Sequence, residues 1–301
     1  MKVIIRNLSV EQADSFLIIL ENNKSKISIL IDGNRESVAN ASILLSAVSG
    51  LEQLDYIVVT HIDNDHLGGI LKMLEANGND KKLANTKIVY NFVTQKNISF
   101  NQAKRFEKII KGRSVIKSYG SKYDSDDFLY FLSINDRKIC NDIESESKVF
   151  ITFLSPTREG ANKVWENFSL GQKEKAELIN DNSIVFMLEA GKKRAIFAGD
   201  ANWDKIEKQL DKVLGDENYI VDLIKVPHHG ADHNNIGLEN FVGKHNCKKL
   251  LVTGKREWDH KHPDEELIKR LKAFSMTNQL EVYSNVDLTT YFETKDEEIN
   301  L

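Results

Sequence analysis

Apolar residues in this 301-residue chain come in short runs punctuated by polar clusters. A short run rich in Val, Ile and Phe reads as a buried strand, whereas apolar positions spaced by three and four read as a helix. By that rule Val3-Ile4-Ile5 opens an edge strand, and Phe16–Leu20 and Lys26–Ile31 form a hairpin across Glu21-Asn22-Asn23. Further strands are Tyr56–Val59, Ile88–Val93 and Val149–Leu154, then a hairpin of Ile184–Leu188 and Ala195–Ala198, then Val221–Val226, Lys249–Thr253, Leu280–Tyr283 and Leu288–Phe292. Helical spacing marks Ser37–Leu54, Ile70–Ala76 (stopped by Asn77-Gly78), Asn101–Lys111, Asp204–Leu214 and Asp264–Phe274. Residues 113–147 carry no clear period. Strands outnumber helices and hairpins mix with strand–helix units, so two sheets sandwiched between helices satisfy the pattern.

The polar residues that interrupt this pattern concentrate at strand ends. In Thr60–Gly69, two imidazoles and two carboxylates (His61, Asp63, Asp65 and His66) lie between a β-branched run and a Gly-Gly pair. Imidazole and carboxylate together bind zinc, manganese or iron at neutral pH. An extended turn would let alternate residues converge on one point, and Gly68-Gly69 would let the backbone pass close to whatever sits there. Asp32-Gly33, Gly199-Asp200 and Asn180-Asp181-Asn182-Ser183 also end or precede strands, and each taken alone is an ordinary turn. Val226-Pro227-His228-His229-Gly230 is a stronger signal. Neighbouring side chains on an extended backbone point in different directions, so one of these histidines is expected to be a ligand and the other a substrate contact or proton donor. His260-Lys261-His262-Pro263 precedes Asp264-Glu265, where the Pro suits a helix start. Of the eight histidines none falls between His66 and His228, so a ligand from the middle of the chain must be a carboxylate or an amide. His245 reads as an ordinary surface residue.

The run H-x-D-x-D-H-x-G-G at His61–Gly69 resembles the H-x-H-x-D-H signature of the metallo-β-lactamase-fold hydrolases, with Asp63 where the family usually has its second histidine. The later elements, in order, resemble the metallo-β-lactamase domain of ComEC-type DNA-uptake proteins and its stand-alone soluble relatives, over roughly residues 1 to 290. The resemblance implies an α/β fold, an αββα sandwich of two mixed sheets flanked by helices, with residues 1–301 as a single domain. It implies a site for two divalent cations, zinc first, with manganese, iron or magnesium as alternatives that a carboxylate at Asp63 favours. His61 and Asp63 would hold one cation, with Asp181 or a neighbouring Asn as ligand or substrate contact. Asp65, His66 and His229 (or His228) would hold the other, and Asp200 would bridge. Asp32 would lie beneath the site and orient ligands. Asp65, His228, His260 and His262 are the candidate catalytic groups, the last two contacting a phosphate or relaying protons, with His233 as a possible addition. The implied reaction is phosphodiester hydrolysis by a metal-activated water, on DNA or RNA or else on a small phosphodiester or ester. A metal-binding sensor or interaction subunit with little catalysis is the alternative of another class.

Composition narrows the partners. The chain is 41% hydrophobic and 29% charged with a formal net charge of −4, so nothing global attracts nucleic acid or an anionic membrane. Lys192-Lys193-Arg194, Lys248-Lys249 and Lys255-Arg256 are local basic clusters that could steer a phosphate backbone. The acidic run Asp124–Asp127 reads as solvated surface. Cys140 and Cys247 are not in metal-ligand spacing and fit two reduced thiols. There is no secretion signal at the start and no apolar stretch near the roughly 20 residues that span a bilayer. A cytoplasmic protein, complete as a fold and without a membrane role, is expected.

Overall fold

The computed structural model describes residues 1–23, 26–90, 100–117, 131–133, 149–157, 159–160, 163–164, 172–215, 219–254, 262–285, 294–295 and 298–301. The expected strand Leu288–Phe292, residues 91–93 of the strand after Ile88, Asp124–Asp127, Cys140, Lys255-Arg256 and His260 lie outside them.

Two mixed sheets form the centre. The first has seven strands in the order β15-β1-β2-β3-β4-β5-β6: Glu298–Asn300, Lys2–Asn7, Phe16–Glu21, Lys26–Ile31, Tyr56–Val59, Lys87–Tyr90 and Val115–Lys117. The second has eight in the order β14-β13-β12-β11-β10-β9-β8-β7: Thr294–Lys295, Glu281–Ser284, Lys249–Val252, Leu223–Lys225, Lys193–Phe197, Val185–Ala190, Val149–Ser155 and Phe131–Ser133. In each sheet antiparallel hairpins lead into a run of parallel strands, β3 to β6 in one and β10 to β14 in the other. β1 is not an edge strand: β15, close to the C-terminus, covers it. The turn between β9 and β10 is only Gly191-Lys192, so Lys193 and Arg194 belong to the ladder.

The period of two in the strands sorts residues into layers. Phe16, Ile18, Ile29, Ile31, Val58, Phe186, Phe197, Leu223 and Leu251 meet between the sheets. Their neighbours Leu17, Ile19, Leu30, Ile57 and Val59 face α1 (Val38–Ser49), α2 (Asn64–Asn77) and α4 (Phe100–Ile110), which follows the short α3 (Lys81–Ala84). On the second sheet Met187, Ile196, Ile224, Leu250 and Val252 face α6 (Trp203–Leu214), α7 (Leu238–Lys244) and α8 (Glu265–Ser275), while α5 (Gln172–Asn180) precedes β9. This is the αββα sandwich. Among the described residues no helix is long and apolar enough to cross a membrane.

α2 starts six residues earlier than its apolar period suggests, at Asn64, with Asp63 as its cap accepting from Asn64 N at 2.6 Å. Asp65 and His66 therefore stand in the first helical turn and not on an extended loop. Two glycines directly after that turn hide it from a periodicity argument, and packing explains them. Gly33 N donates to His66 O at 2.7 Å and Gly69 N to Asn34 O at 3.0 Å, pressing the loop after β3 onto the helix. A Cβ on Gly69 would stand 1.9 Å from Gly33 O, and one on Gly68 2.1 Å from Glu36 N. Helix propensity alone says that Ala at 69 stabilises by about 1 kcal/mol. The clash reverses the sign: Gly69→Ala is expected to cost about 1–3 kcal/mol in urea unfolding.

His245 is buried, contrary to the surface position expected for it. Its ring stacks on Tyr219 with centroids 3.9 Å apart, and Nδ1 lies 3.1 Å from Tyr219 O. Burial holds this imidazole below its ordinary value. The unfolded chain takes up a proton near pH 6.5 while the folded chain does not, so this contribution is complete above that pH and declines as pH falls through it. His245→Asn is expected to be less stable at pH 8 through loss of the stack. It should also lose less stability than wild type between pH 7.5 and 5.5, by at most about 1.4 kcal/mol per pH unit below 6.5, as thermal unfolding would show.

Candidate metal centre

Parallel strands present their carboxyl ends along one rim of the sandwich, and the polar residues gather there. β3 ends at Asp32, β4 at Thr60 and His61, β10 at Gly199-Asp200, β11 at Val226 to His229, and β12 at Thr253. The first turn of α2 adds Asp65 and His66, and the loop between β1 and β2 adds Asp14.

Each imidazole is oriented through Nδ1. His66 Nδ1 lies 2.8 Å from Asp32 Oδ2, and Asp32 also accepts from Thr60 N (2.8 Å) and Thr60 Oγ1 (2.7 Å). His61 Nδ1 lies 3.1 Å from Thr60 Oγ1, His229 Nδ1 3.0 Å from Thr253 Oγ1, and His228 Nδ1 2.8 Å from Asn234 Oδ1. The Nε2 atoms then face inward. Asp200 Oδ2 is 3.4 Å from that of His66, 3.7 Å from His228 and 3.9 Å from His61, while Asp65 Oδ2 is 3.8 Å from that of His229.

The chemistry of this donor set fits divalent cations. His61 Nε2, His66 Nε2, His229 Nε2 and Asp200 Oδ1 are buried without a hydrogen-bond partner, an arrangement that costs about 1–3 kcal/mol per group unless something satisfies them. His61, His66 and Asp200 offer ligand atoms within 4.8 Å of one another, and so do Asp65, His66 and His229. Asp14, Asp32 and His66 form a third such group, but Asp32 is engaged with His66 Nδ1 and Asp14 with Lys225. The first two groups are therefore the candidate cation sites, with His66 common to both.

Protonation reflects the crowding. Burial, then the neighbouring His66, keeps His61 well below its ordinary value. Burial opposes charge on His66 as well, but Asp200 and Asp32 prevail and hold it well above. Burial would raise Asp200, yet His66, His228 and His229 hold it well below the carboxylate range. Asp63, by contrast, is raised to about 6 by burial and by Asp65.

The structure does not bring every expected ligand together. Asp63 caps α2 and joins neither group. Asp181 accepts from Asn202 Nδ2 at 2.6 Å and pairs with Lys205, and it too stands outside both groups. His228 and His229 do not sit on extended backbone: φ is 46° and 51°, followed by 84° at Gly230. Left-handed conformations at two non-glycine residues cost of order 1–3 kcal/mol each, and this turn is what aims both rings inward. A Cβ at Gly230 would meet Pro263 Cβ at 2.6 Å. His262 bonds Asp264 Oδ1 through Nδ1 at 3.0 Å, and its ring is 5.6 Å from that of His228. The His233 ring is 6.0 Å from His228. Both border His228, and neither belongs to the two groups.

Asp14, Lys225, Thr60 and Thr253 escaped the reading of the sequence. Lys225 follows Leu223 on the inward face of β11, is 1% exposed, and pairs with Asp14. Asp14 also accepts from Thr253 Oγ1 at 2.6 Å and lies 3.3 Å from His229 Nδ1. Burial would raise Asp14, but Lys225, then His229, holds it well below the usual range. A lysine at an inward position of an apolar strand was the available signal; Gln12-Ala13-Asp14-Ser15 offers none.

Residues 10–132, which include Asp14, Asp32, His61, Asp65 and His66, match the family model of the metallo-beta-lactamase superfamily. Among solved structures the chain is similar to the metallo-beta-lactamase fold protein YhfI from Bacillus subtilis, with TM-score 0.55 and 13% identity over the whole of both chains. It is similar to Tm1679, a metal-dependent hydrolase of the beta-lactamase superfamily, with TM-score 0.51 and 10% identity over 99% of each chain. It is similar too to CmlA, a diiron beta-hydroxylase from Streptomyces venezuelae, with TM-score 0.51 and 12% identity, covering all of this chain and 54% of that one. No curated protein matches the chain. The chain has the metallo-β-lactamase fold, and its candidate metal centre lies where the strand ends of both sheets meet.

The Asp14–Lys225 pair supplies a test of how the centre is supported. Lys225→Met strands a buried carboxylate and is expected to cost about 3–5 kcal/mol. Adding Asp14→Asn should recover much of that loss, and chemical denaturation of the two variants measures it.

Proposed function

We propose that this protein is a metal-dependent hydrolase that cleaves phosphodiesters. The observation carrying this reading is the convergence of four inward-facing Nε2 atoms on Asp200 and Asp65, three of them buried and without a hydrogen-bond partner. His61, His66 and Asp200 would hold one divalent cation and Asp65, His66 and His229 the other. Such cations, when bound, supply Lewis-acid stabilisation of a phosphoryl oxygen and lower the pKa of a water. The chain's own residues do the rest. Asp32, Thr60, Thr253 and Asn234 fix the imidazoles, and Arg35 Nη2, 3.3 Å from Asp65 Oδ2, orients that carboxylate. His228 faces both the centre and a cleft of about 530 Å³ that Lys163, Asp181, Asn202, His233 and Asn234 also line. From there His228 Nε2 can accept or return a proton beside the reacting phosphate.

DNA or RNA is the first substrate class, in line with the ComEC-like order of motifs. A small phosphodiester is the second reading, which two observations favour. The cleft volume falls in the range of small-molecule sites, about 300–1,000 Å³. The basic clusters on the second sheet are also engaged: Lys193 pairs with Asp222, Arg194 with Glu189, and Lys249 Nζ donates to Asn300 O. Zinc, manganese, iron and magnesium are all candidates for the cation.

A screen of bis-p-nitrophenyl phosphate, single- and double-stranded DNA and RNA across zinc, manganese and magnesium tests the proposal, alongside elemental analysis of the purified protein. Hydrolysis that falls by about 10³-fold or more in His66→Ala and Asp200→Asn is the expected result, in the range seen when a principal source of transition-state charge stabilisation is removed. Turnover of the small ester without nucleic-acid cleavage would select the second reading. Stoichiometric metal without hydrolysis would leave a metal-binding sensor, and a protein that binds no metal would overturn the proposal.

A further inference from the structure

His228 is held by a chain of side-chain amides whose direction can be deduced. Asp181, paired with Lys205, can only accept, so the atom of Asn202 that faces it at 2.6 Å is Nδ2. Asn202 therefore presents Oδ1 to Asn234, which must answer with Nδ2, at 2.8 Å. The same Asn234 Nδ2 donates to the backbone carbonyl of Asp200 at 3.2 Å, and a carbonyl cannot donate. Two independent acceptors thus fix the amide of Asn234, which is buried, and its Oδ1 is what faces His228 Nδ1 at 2.8 Å. Flipping Asn234 would set its oxygen against both the Asp200 carbonyl and Asn202 Oδ1. Flipping Asn202 as well would set an amide oxygen against the carboxylate of Asp181. Amide and imidazole hydrogens are assigned from such networks and not seen directly, and this network permits one assignment.

We infer that Asn234, backed by Asn202 and Asp181, is a positioning residue that locks neutral His228 as the Nδ1–H tautomer and so turns the lone pair of Nε2 toward Asp200. This assigns the Asn180–Asn182 turn a part in the site without making Asp181 a metal ligand: it polarises the far end of the amide chain. It also separates the roles of the paired histidines. His229 takes its orientation from Thr253 and faces Asp65, whereas His228 takes its orientation from Asn234 and faces Asp200 from the cleft side. What the lone pair serves, binding a cation or taking a proton, rests on the proposed hydrolase; where it points does not.

The test is NMR of the intact chain, labelled with ¹⁵N at histidine, stripped of metal with a chelator and held at pH 8, with the His228 signals assigned by comparison with His228→Gln. Wild type should show a proton on Nδ1 of His228 and none on Nε2. Asn234→Ala removes the acceptor and should release His228 to the Nε2–H form or a mixture. If a hydrolytic activity has been found, Asn234→Ala should lower it about 10–100-fold, the usual effect of removing an outer partner of a site histidine. A proton on Nε2 of wild-type His228, or an unchanged tautomer in Asn234→Ala, overturns the inference. Neither result depends on turnover, so absence of hydrolysis would sink the proposed function and leave this assignment to stand or fall by itself.

Discussion

The centre depends on one constraint: every inward-facing imidazole must give Nδ1 to a fixed neighbour so that Nε2 is left for the interior. Asp32, Thr60, Thr253 and Asn234 supply those neighbours, one for each ring. A histidine with free rotation would point its better donor at the nearest carboxylate and close the site on itself. Here the carboxylates divide into two sets. Asp32 and Asp14 lie behind the rings and orient them, while Asp65 and Asp200 lie in front with the Nε2 atoms. The distinction between a carboxylate that orients a ring and one that shares the interior with the Nε2 atoms is one of position, since both are Asp.

Placing this many carboxylates in a dry interior requires compensation. Lys225 provides it for Asp14 from within the inter-sheet layer, at a position whose alternation calls for an apolar side chain. That buried cation lets the loop between β1 and β2 carry a carboxylate beneath His229. The two unusual backbone regions belong to the same economy of space. The left-handed turn at His228–Gly230 brings adjacent rings to one centre, and the glycines of α2 let the loop after β3 approach closely enough for Asp32 to reach His66.

The layered fold was largely legible in the sequence. Continuous apolar runs such as Phe16–Leu20 and Ile184–Leu188 identify the strands because each must bury two faces, one on the other sheet and one on helices. Reading failed where tertiary pairing outweighs local pattern. β1 has no sequence feature that reveals β15 beside it, since that partner is nearly three hundred residues away. α2 begins in a stretch with two glycines and no apolar period, because its first turn is held by the neighbouring loop and a cap. His245, a single polar residue near the end of a helix, gives no hint of the aromatic stack that buries it.

Of the site, the sequence by itself determined the donor types and the strand ends that carry them: His61, Asp65, His66, Asp200 and the His228-His229 pair. The two histidine clusters stand out by local chemistry, as imidazoles gathered with carboxylates or with each other at turns after apolar strands, whereas Gly199-Asp200 alone is an ordinary turn that only the family resemblance marks. Only the tertiary structure decided which of those groups meet. It placed Asp63 on a helix cap and Asp181 at the end of an amide chain, and it recruited Asp14, Lys225, Thr253 and Asn234 from unremarkable surroundings. The physical reason is that a hydrogen bond is directional and short. Which atom of an imidazole is left over depends on a neighbour within about 3 Å, and sequence distance says nothing about that neighbour.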